Sequence, residues 1–157
     1  MSLVKGKNID TSVVSFAVPR TLDNGAKLVY VNYNGGRFSV QTPWMSMPWK
    51  MGVFTDGEFP KYSIDLSFKG MDDNKDLKEF HDKMKEVEQT IIDAGLENSV
   101  PWFKKKISSR DGVVEKFNPV IKEYPEFSLN ENNPKAIPLF QIKLRLINGT
   151  RAISKLF

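Results

Sequence analysis

Cysteine is absent from this chain, and histidine occurs once, as His81. The first absence excludes a disulfide scaffold, a thiolate metal site and a cysteine nucleophile. The second leaves no second imidazole for a metal or acid/base cluster. Long apolar runs are missing too: SVVSFAV and KLVYVN are the best available, far short of the roughly 20 residues that span a bilayer. The start, MSLVKGKNID, has no apolar core of the kind that directs secretion. A soluble, intracellular protein is therefore expected, and the sequon Asn148-Gly149-Thr150 reads as chance. No G-x-x-x-x-G-K-[ST], G-x-S-x-G or H-E-x-x-H occurs, so an enzyme would have no phosphate loop, nucleophile or metal to work with. The run Asp72-Asp73-Asn74-Lys75-Asp76 invites a calcium reading, but Leu77 and Lys83 stand where an EF-hand loop needs Gly and Glu. No cofactor or metal is expected.

What the chain does have is segregated charge. Between Asp72 and Glu97 there are nine carboxylates and four lysines, a balance of −5, whereas the whole chain of 157 residues is +4. The rest must carry +9. A basic body rich in strand formers and aromatics, with one acidic helix docked on it, suits a polyanion that has flat faces, meaning single-stranded nucleic acid.

The pattern along the chain predicts the elements. Residues 11–18 and 26–33 are β-rich and separated by Pro19 and the turn signal Asp23-Asn24-Gly25. Asn34-Gly35-Gly36 predicts a hairpin over Tyr30 to Gln41, with Arg37 to Gln41 as its return strand. Residues 42–60 carry three prolines and two glycines and read as a long loop. From Lys61 to Lys69 apolar and polar residues alternate, which predicts one core face and one polar, available face. The period then changes: Leu77, Phe80, Met84, Val87, Ile91 and Ala94 mark one stripe of a helix at about 72–99, capped by Asp72, Asp73 or Asn74 and ended by Pro101. Gly112–Lys122 reads as a strand broken by Pro119, residues 124–138 as a loop, and Phe140–Ile147 as a last strand.

This order gives a mainly β chain with one long helix. It fits a single domain over residues 1–157 built as a five-stranded or slightly larger OB-fold-like barrel, with the helix inserted between the third and fourth barrel strands. An α+β sandwich with one covering helix fits the same order.

The stretch YVNYNGGRFSVQTPWMSMPWKMG, then KYSIDLSFKG, then LKEFHDKMKEVEQTIIDAGLENS followed by Trp102-Phe103, resembles the single-stranded DNA-binding proteins of large nucleocytoplasmic DNA viruses of algae and protists. That group is in turn similar to the replication-associated single-stranded DNA-binding protein of short-tailed phages, an OB fold with a long inserted helix. The resemblance covers residues 20 to 105, and beyond them only the order of elements. It implies sequence-nonspecific binding in viral DNA replication, recombination or repair in the infected host cell. Polymerase and helicase are the partners it implies, and a homodimer is admitted. The phage proteins finish in an acidic tail with a terminal aromatic. Residues 151–157 here are basic, and that tail function is not carried over.

Candidate contacts follow from residue type and place. Trp44 and Trp49, beside Lys50, are candidate stacking platforms; their alternative role is to plug a barrel end among Met45, Met47 and Met51. Arg37, Lys61, Lys69, Lys143 and Arg145 alternate with apolar residues, so one sheet would present them together to phosphates. Tyr33 beside the glycine turn either stacks on a base or covers the hairpin, and Phe38 is read as core. Lys104–Lys106 follow Trp102-Phe103, a pairing of aromatic and basic residues that suits an extended backbone and one base; the preferred alternative is that the run serves the helix's C-terminal dipole. The rival reading is a protein-interaction or virion structural module that uses the same basic face.

Overall fold

The computed structural model describes residues 3–47, 50–55, 57, 60–117, 119–123 and 138–144. Its strands are β1 (Leu3–Lys5), β2 (Val14–Phe16), β3 (Arg20–Thr21), β4 (Lys27–Leu28), β5 (Val31–Tyr33), β6 (Gly36–Arg37), β7 (Ser39–Gln41), β8 (Gly52–Phe54) and β9 (Lys61–Ser67). Three helices follow, α1 (Lys75–Glu97), α2 (Ser99–Phe103) and α3 (Arg110–Val114), then β10 (Ile121–Glu123) and β11 (Pro138–Leu144). The strands lie in four separate sheets: β1 with β7, β2–β5–β6, β3 with β4, and β10–β11–β9–β8.

Among the described residues no sheet closes, so the OB-fold-like barrel is overturned. Nine of these strands are only two or three residues long, cut short by prolines, glycines and turns. Closure needs strands long enough to be paired and staggered along both edges. Nor does the helix stand between a third and a fourth strand: α1 follows nine strands, and two come after it. The chain is a mixed α/β protein. It divides into two compact units, one drawn from Met1–Trp44 and Met71–Val120, the other from Met45–Gly70 and Ile121–Phe157. No helix among the described residues is long and apolar enough to cross a membrane.

In the first unit the Asn34-Gly35 turn forms as the sequence predicts. Both residues have positive φ, 49° and 78°, which matches the twist of a tight hairpin and is cheap for Asn and Gly. Yet the hairpin ends at Arg37, with Tyr33 opposite Gly36 and Asn32 opposite Arg37. Ser39–Gln41 leaves it to pair in parallel with Leu3–Lys5. Phe38, at the break, stacks on Tyr33 with ring centroids 5.1 Å apart, so a ring contact holds the place where the expected single strand splits in two. The preceding arm is a second interrupted ribbon. Strand β2 pairs with β5 and β3 with β4, the register slipping by one residue between them. Pro19, which has no N–H to give, lies in that gap.

Helix α1 buries Leu77, Phe80, Met84 and Val87, as its period predicts. Further on it buries Glu88, Ile92 and Gly95, while Ile91 and Ala94 are half-buried. The buried row drifts because 3.6 residues per turn does not keep a strict seven-residue repeat, and because a second surface meets the helix there. A Cβ on Gly95 would lie 3.0 Å from Val113 Cγ1 and 3.5 Å from Phe103 Cε2. Glycine at that position thus lets α3 approach, closing a cluster of Ile92, Ile107 and Val113 flanked by Leu96, Phe103 and Phe117. At the other end Gly6 plays the same part against Phe80, since a Cβ there would fall 2.2 Å from Phe80 Cδ2.

The helix ends are set by side chains. Asn74 Oδ1 accepts the Leu77 N–H at 3.2 Å, leaving Asp72 and Asp73 in a preceding 3₁₀ turn. Asn74→Ala should cost about 1 kcal/mol, read as a lower urea midpoint with unchanged slope. Pro101 does not end the helical run. Asn98 caps α1, and Pro101 sits in the first turn of α2, where a missing N–H costs nothing. The expected strand over Gly112–Lys122 is corrected in its first part, and only Ile121 and Lys122 join a strand, β10. Ser109 Oγ accepts the Gly112 N–H at 3.2 Å, a cap that starts α3 despite the β-branched pair Val113-Val114, and Val113 gains full burial.

The second unit is the four-stranded antiparallel sheet. Strand β9 is central, opposite β11 through six register pairs and β8 through three. Ile64 and Phe68 are buried as the alternation predicts, but Ser67 on the other face is buried too. Its N–H donates to Ser46 O at 2.8 Å. Strand β11 begins at Pro138, two residues before the expected start; the expected loop at 124–137 and everything from Arg145 onward lie outside the described residues.

Candidate nucleic-acid interface

Trp44 stands three residues beyond β7, after Thr42-Pro43, and its side chain is 97% exposed. The reading in which it plugs a barrel end is overturned. An indole left in water gains nothing for the fold, and both of its faces are open to a flat partner. Trp49 lies outside the described residues.

The other candidates separate by unit. Arg37 is exposed on β6 and Tyr33 is half-buried on β5. The tyrosine is committed on two sides: its ring is stacked on Phe38, and its hydroxyl accepts the Asp10 N–H at 3.0 Å. Tyr33 thus covers the hairpin. Asp10, in turn, accepts from the Ser12 hydroxyl at 2.6 Å and the Ser12 N–H at 3.0 Å. Those two bonds hold its carboxyl below the ordinary aspartate range. In the second unit Lys50 and Lys69 are exposed. Lys143 pairs with Ser63, two residues from Lys61, so the backbone positions of the two lysines are diagonal neighbours, roughly 7–8 Å apart. Arg145 is outside the described residues. The expectation that one sheet presents Arg37 with Lys61 and Lys143 is corrected, because Arg37 belongs to the β2–β5–β6 sheet and the lysines to the β10–β11–β9–β8 sheet. Lys69 follows the end of β9.

Ion pairing divides the cations sharply. The lysines of α1 are matched by carboxylates of the same helix: Lys75 with Glu79, Lys78 with Asp82, Lys83 with Glu86 and Lys85 with Glu88, all between 3.3 and 3.8 Å. Two further cations are drawn to it, Lys7 onto Asp76 at 3.3 Å and Arg110 onto Asp93. Lys5, Arg20, Lys27, Arg37, Lys50, Lys69 and Lys104–Lys106 form no ion pair among the described residues, and all are exposed. The acidic helix therefore neutralises its own neighbours and leaves these other cations uncompensated.

Sequence reasoning passed over Lys5, Arg20 and Lys27. Lys5 is opposite Gln41, three residues before Trp44, a parallel pairing that no local pattern announces. Arg20 and Lys27 flank the Asp23-Asn24-Gly25 signal, which was legible, but their neighbours in space were not. Trp102, in contrast, is structural: it meets Phe16 edge-on at 5.2 Å and docks α2 on the β2 arm. Among the described residues no group of three or more acidic or histidine side chains is placed to hold a metal ion.

Compared with protein-family models, curated proteins and solved structures, the chain matches none. The resemblance to viral single-stranded DNA-binding proteins rests on the residues quoted for it.

Proposed function

We propose that this chain binds single-stranded DNA without sequence preference and without catalysis, stacking an unpaired base on Trp44 while uncompensated cations follow the phosphates. The observation that carries the reading is the fully offered indole of Trp44. Base–aromatic stacking contributes about 1–3 kcal/mol and tolerates any base, because every base has a π-face. The exposed Lys5 and Arg37 of the same unit supply positive charge that no described carboxylate has claimed. The viral resemblance supports a place in DNA replication, recombination or repair within an infected cell, alongside polymerase and helicase.

Titrating the intrinsic tryptophan fluorescence with poly(dT) tests the reading. Quenching is expected, with an affinity that falls as salt rises by about 0.7 log units per neutralised phosphate for each tenfold change. Unquenched emission and no association at low salt would leave the basic surface to a protein partner instead.

A further inference from the structure

We propose that the β3–β4 hairpin and the lysine run after α2 form a second contact surface for a single strand, separate from Trp44. The proposal rests on the single-strand reading above, and its parts are all in the first unit.

The hairpin end is rigidly built. The Leu22 N–H donates to Ala26 O and the Gly25 N–H to Leu22 O, both at 2.8 Å, and Asn24 Oδ1 accepts the Ala26 N–H at 3.0 Å. Gly25, at φ 80°, permits that turn. Two contacts tie this ribbon to α2: Trp102 against Phe16, and Lys104 Nζ donating to Gly25 O. Lys104 itself caps α2 in the left-handed conformation, φ 62°, with its N–H on Val100 O, so the chain turns there and releases Lys105 and Lys106.

Lys104–Lys106 thus meet the end of the hairpin, some 80 residues away in sequence, and Arg20, opposite Leu28, and Lys27, opposite Thr21, flank that end from the two faces of the ribbon. All five are exposed and none is ion-paired among the described residues; Asp23 is the one carboxylate of the turn. Lys27 Nζ donates to Thr21 Oγ1 at 2.6 Å, which fixes its stem along the hairpin. Three residues further along the same arm stands Tyr30, 52% exposed, roughly 10 Å away along an extended chain. Cations alone would suit any polyanion. Cations with an open ring beside them favour one that carries unpaired bases.

The full-length chain tests this with a labelled (dT)30 across a salt series. The variant Arg20→Ser/Lys27→Ser/Lys105→Ser/Lys106→Ser keeps Lys104, which holds the turn. Its log–log salt slope should be shallower by about 3, four cations at about 0.7 each; Lys105→Ser/Lys106→Ser alone should give about half that change. Tyr30→Ala should lower affinity about fivefold or more at every salt concentration. Unchanged slopes in both lysine variants, with circular dichroism as in the parent, would overturn the surface; a loss on Trp44→Ala would still stand for the stacking platform. The reverse pattern, altered slopes with Trp44→Ala harmless, supports the surface and removes Trp44. Absence of binding by the parent chain removes both.

Discussion

Replacing Phe80 by alanine is expected to lower the unfolding free energy by about 3–5 kcal/mol. The ring is wholly buried on the inner side of α1, 0% exposed, and the 3₁₀ turn Gly6–Asn8 rests on it. Truncation leaves a cavity that a short turn cannot collapse to fill, so the transfer loss and the cavity term both apply. Gly6→Ala attacks the same contact from the other side. A methyl 2.2 Å from Cδ2 is inside any allowed approach, and shifting the ring or the turn should cost about 1–3 kcal/mol. The two substitutions should not add. With the ring gone the methyl has room, so the double variant should lie close to Phe80→Ala alone, a coupling of about 1–3 kcal/mol. Urea midpoints of the parent, both single variants and the double variant measure this directly. Strict additivity would mean that turn and ring do not share a contact.

What the sequence made legible is what depends on neighbours a few residues apart. The positive-φ turn at Asn34-Gly35, the burial of Ile64 and Phe68, the buried row Leu77–Phe80–Met84–Val87 and the Asn74 cap all follow from local rules, and all are present. The barrel does not follow because an order of elements does not determine which strands pair, and the strands pair in four separate sheets. Nothing within Ser39–Gln41 says that it will leave its hairpin for Leu3–Lys5, yet that one choice separates two sheets. Arg110–Val114 misled for a related reason: two valines after a glycine favour a strand locally, and burial of Val113 against Ile92 and Ile107 outweighs that preference.

The charge partition was legible in number but not in consequence. Counting residues gives a negative segment and a positive remainder; only the side-chain geometry shows that the negative segment pairs with its own lysines and also takes Lys7 and Arg110. Exposed pairs of this kind stabilise a helix by only about 0.3–0.5 kcal/mol each. Their larger effect is on the outside field. Cations engaged there do not compete for phosphates, and the hairpin and Lys104–Lys106 retain their full charge for a distant polyanion.

Trp44→Ala should separate stability from binding more cleanly than any other substitution. Because the indole is 97% exposed, its removal should change the unfolding free energy by no more than about 0.5 kcal/mol. Affinity for poly(dT) should nonetheless fall by about 1–3 kcal/mol, roughly 5- to 150-fold. The indole carries no charge, so the loss should be the same factor at low and high salt, with the salt slope of the parent retained. Trp44→Phe should recover most of the affinity, since a benzene ring still offers a face to a base. A hydrogen bond from the indole N–H would not survive that exchange. If alanine weakens binding and phenylalanine restores it, stacking is the mechanism. If alanine leaves binding intact, the exposed ring serves some other surface, and the strand must be held elsewhere on the chain.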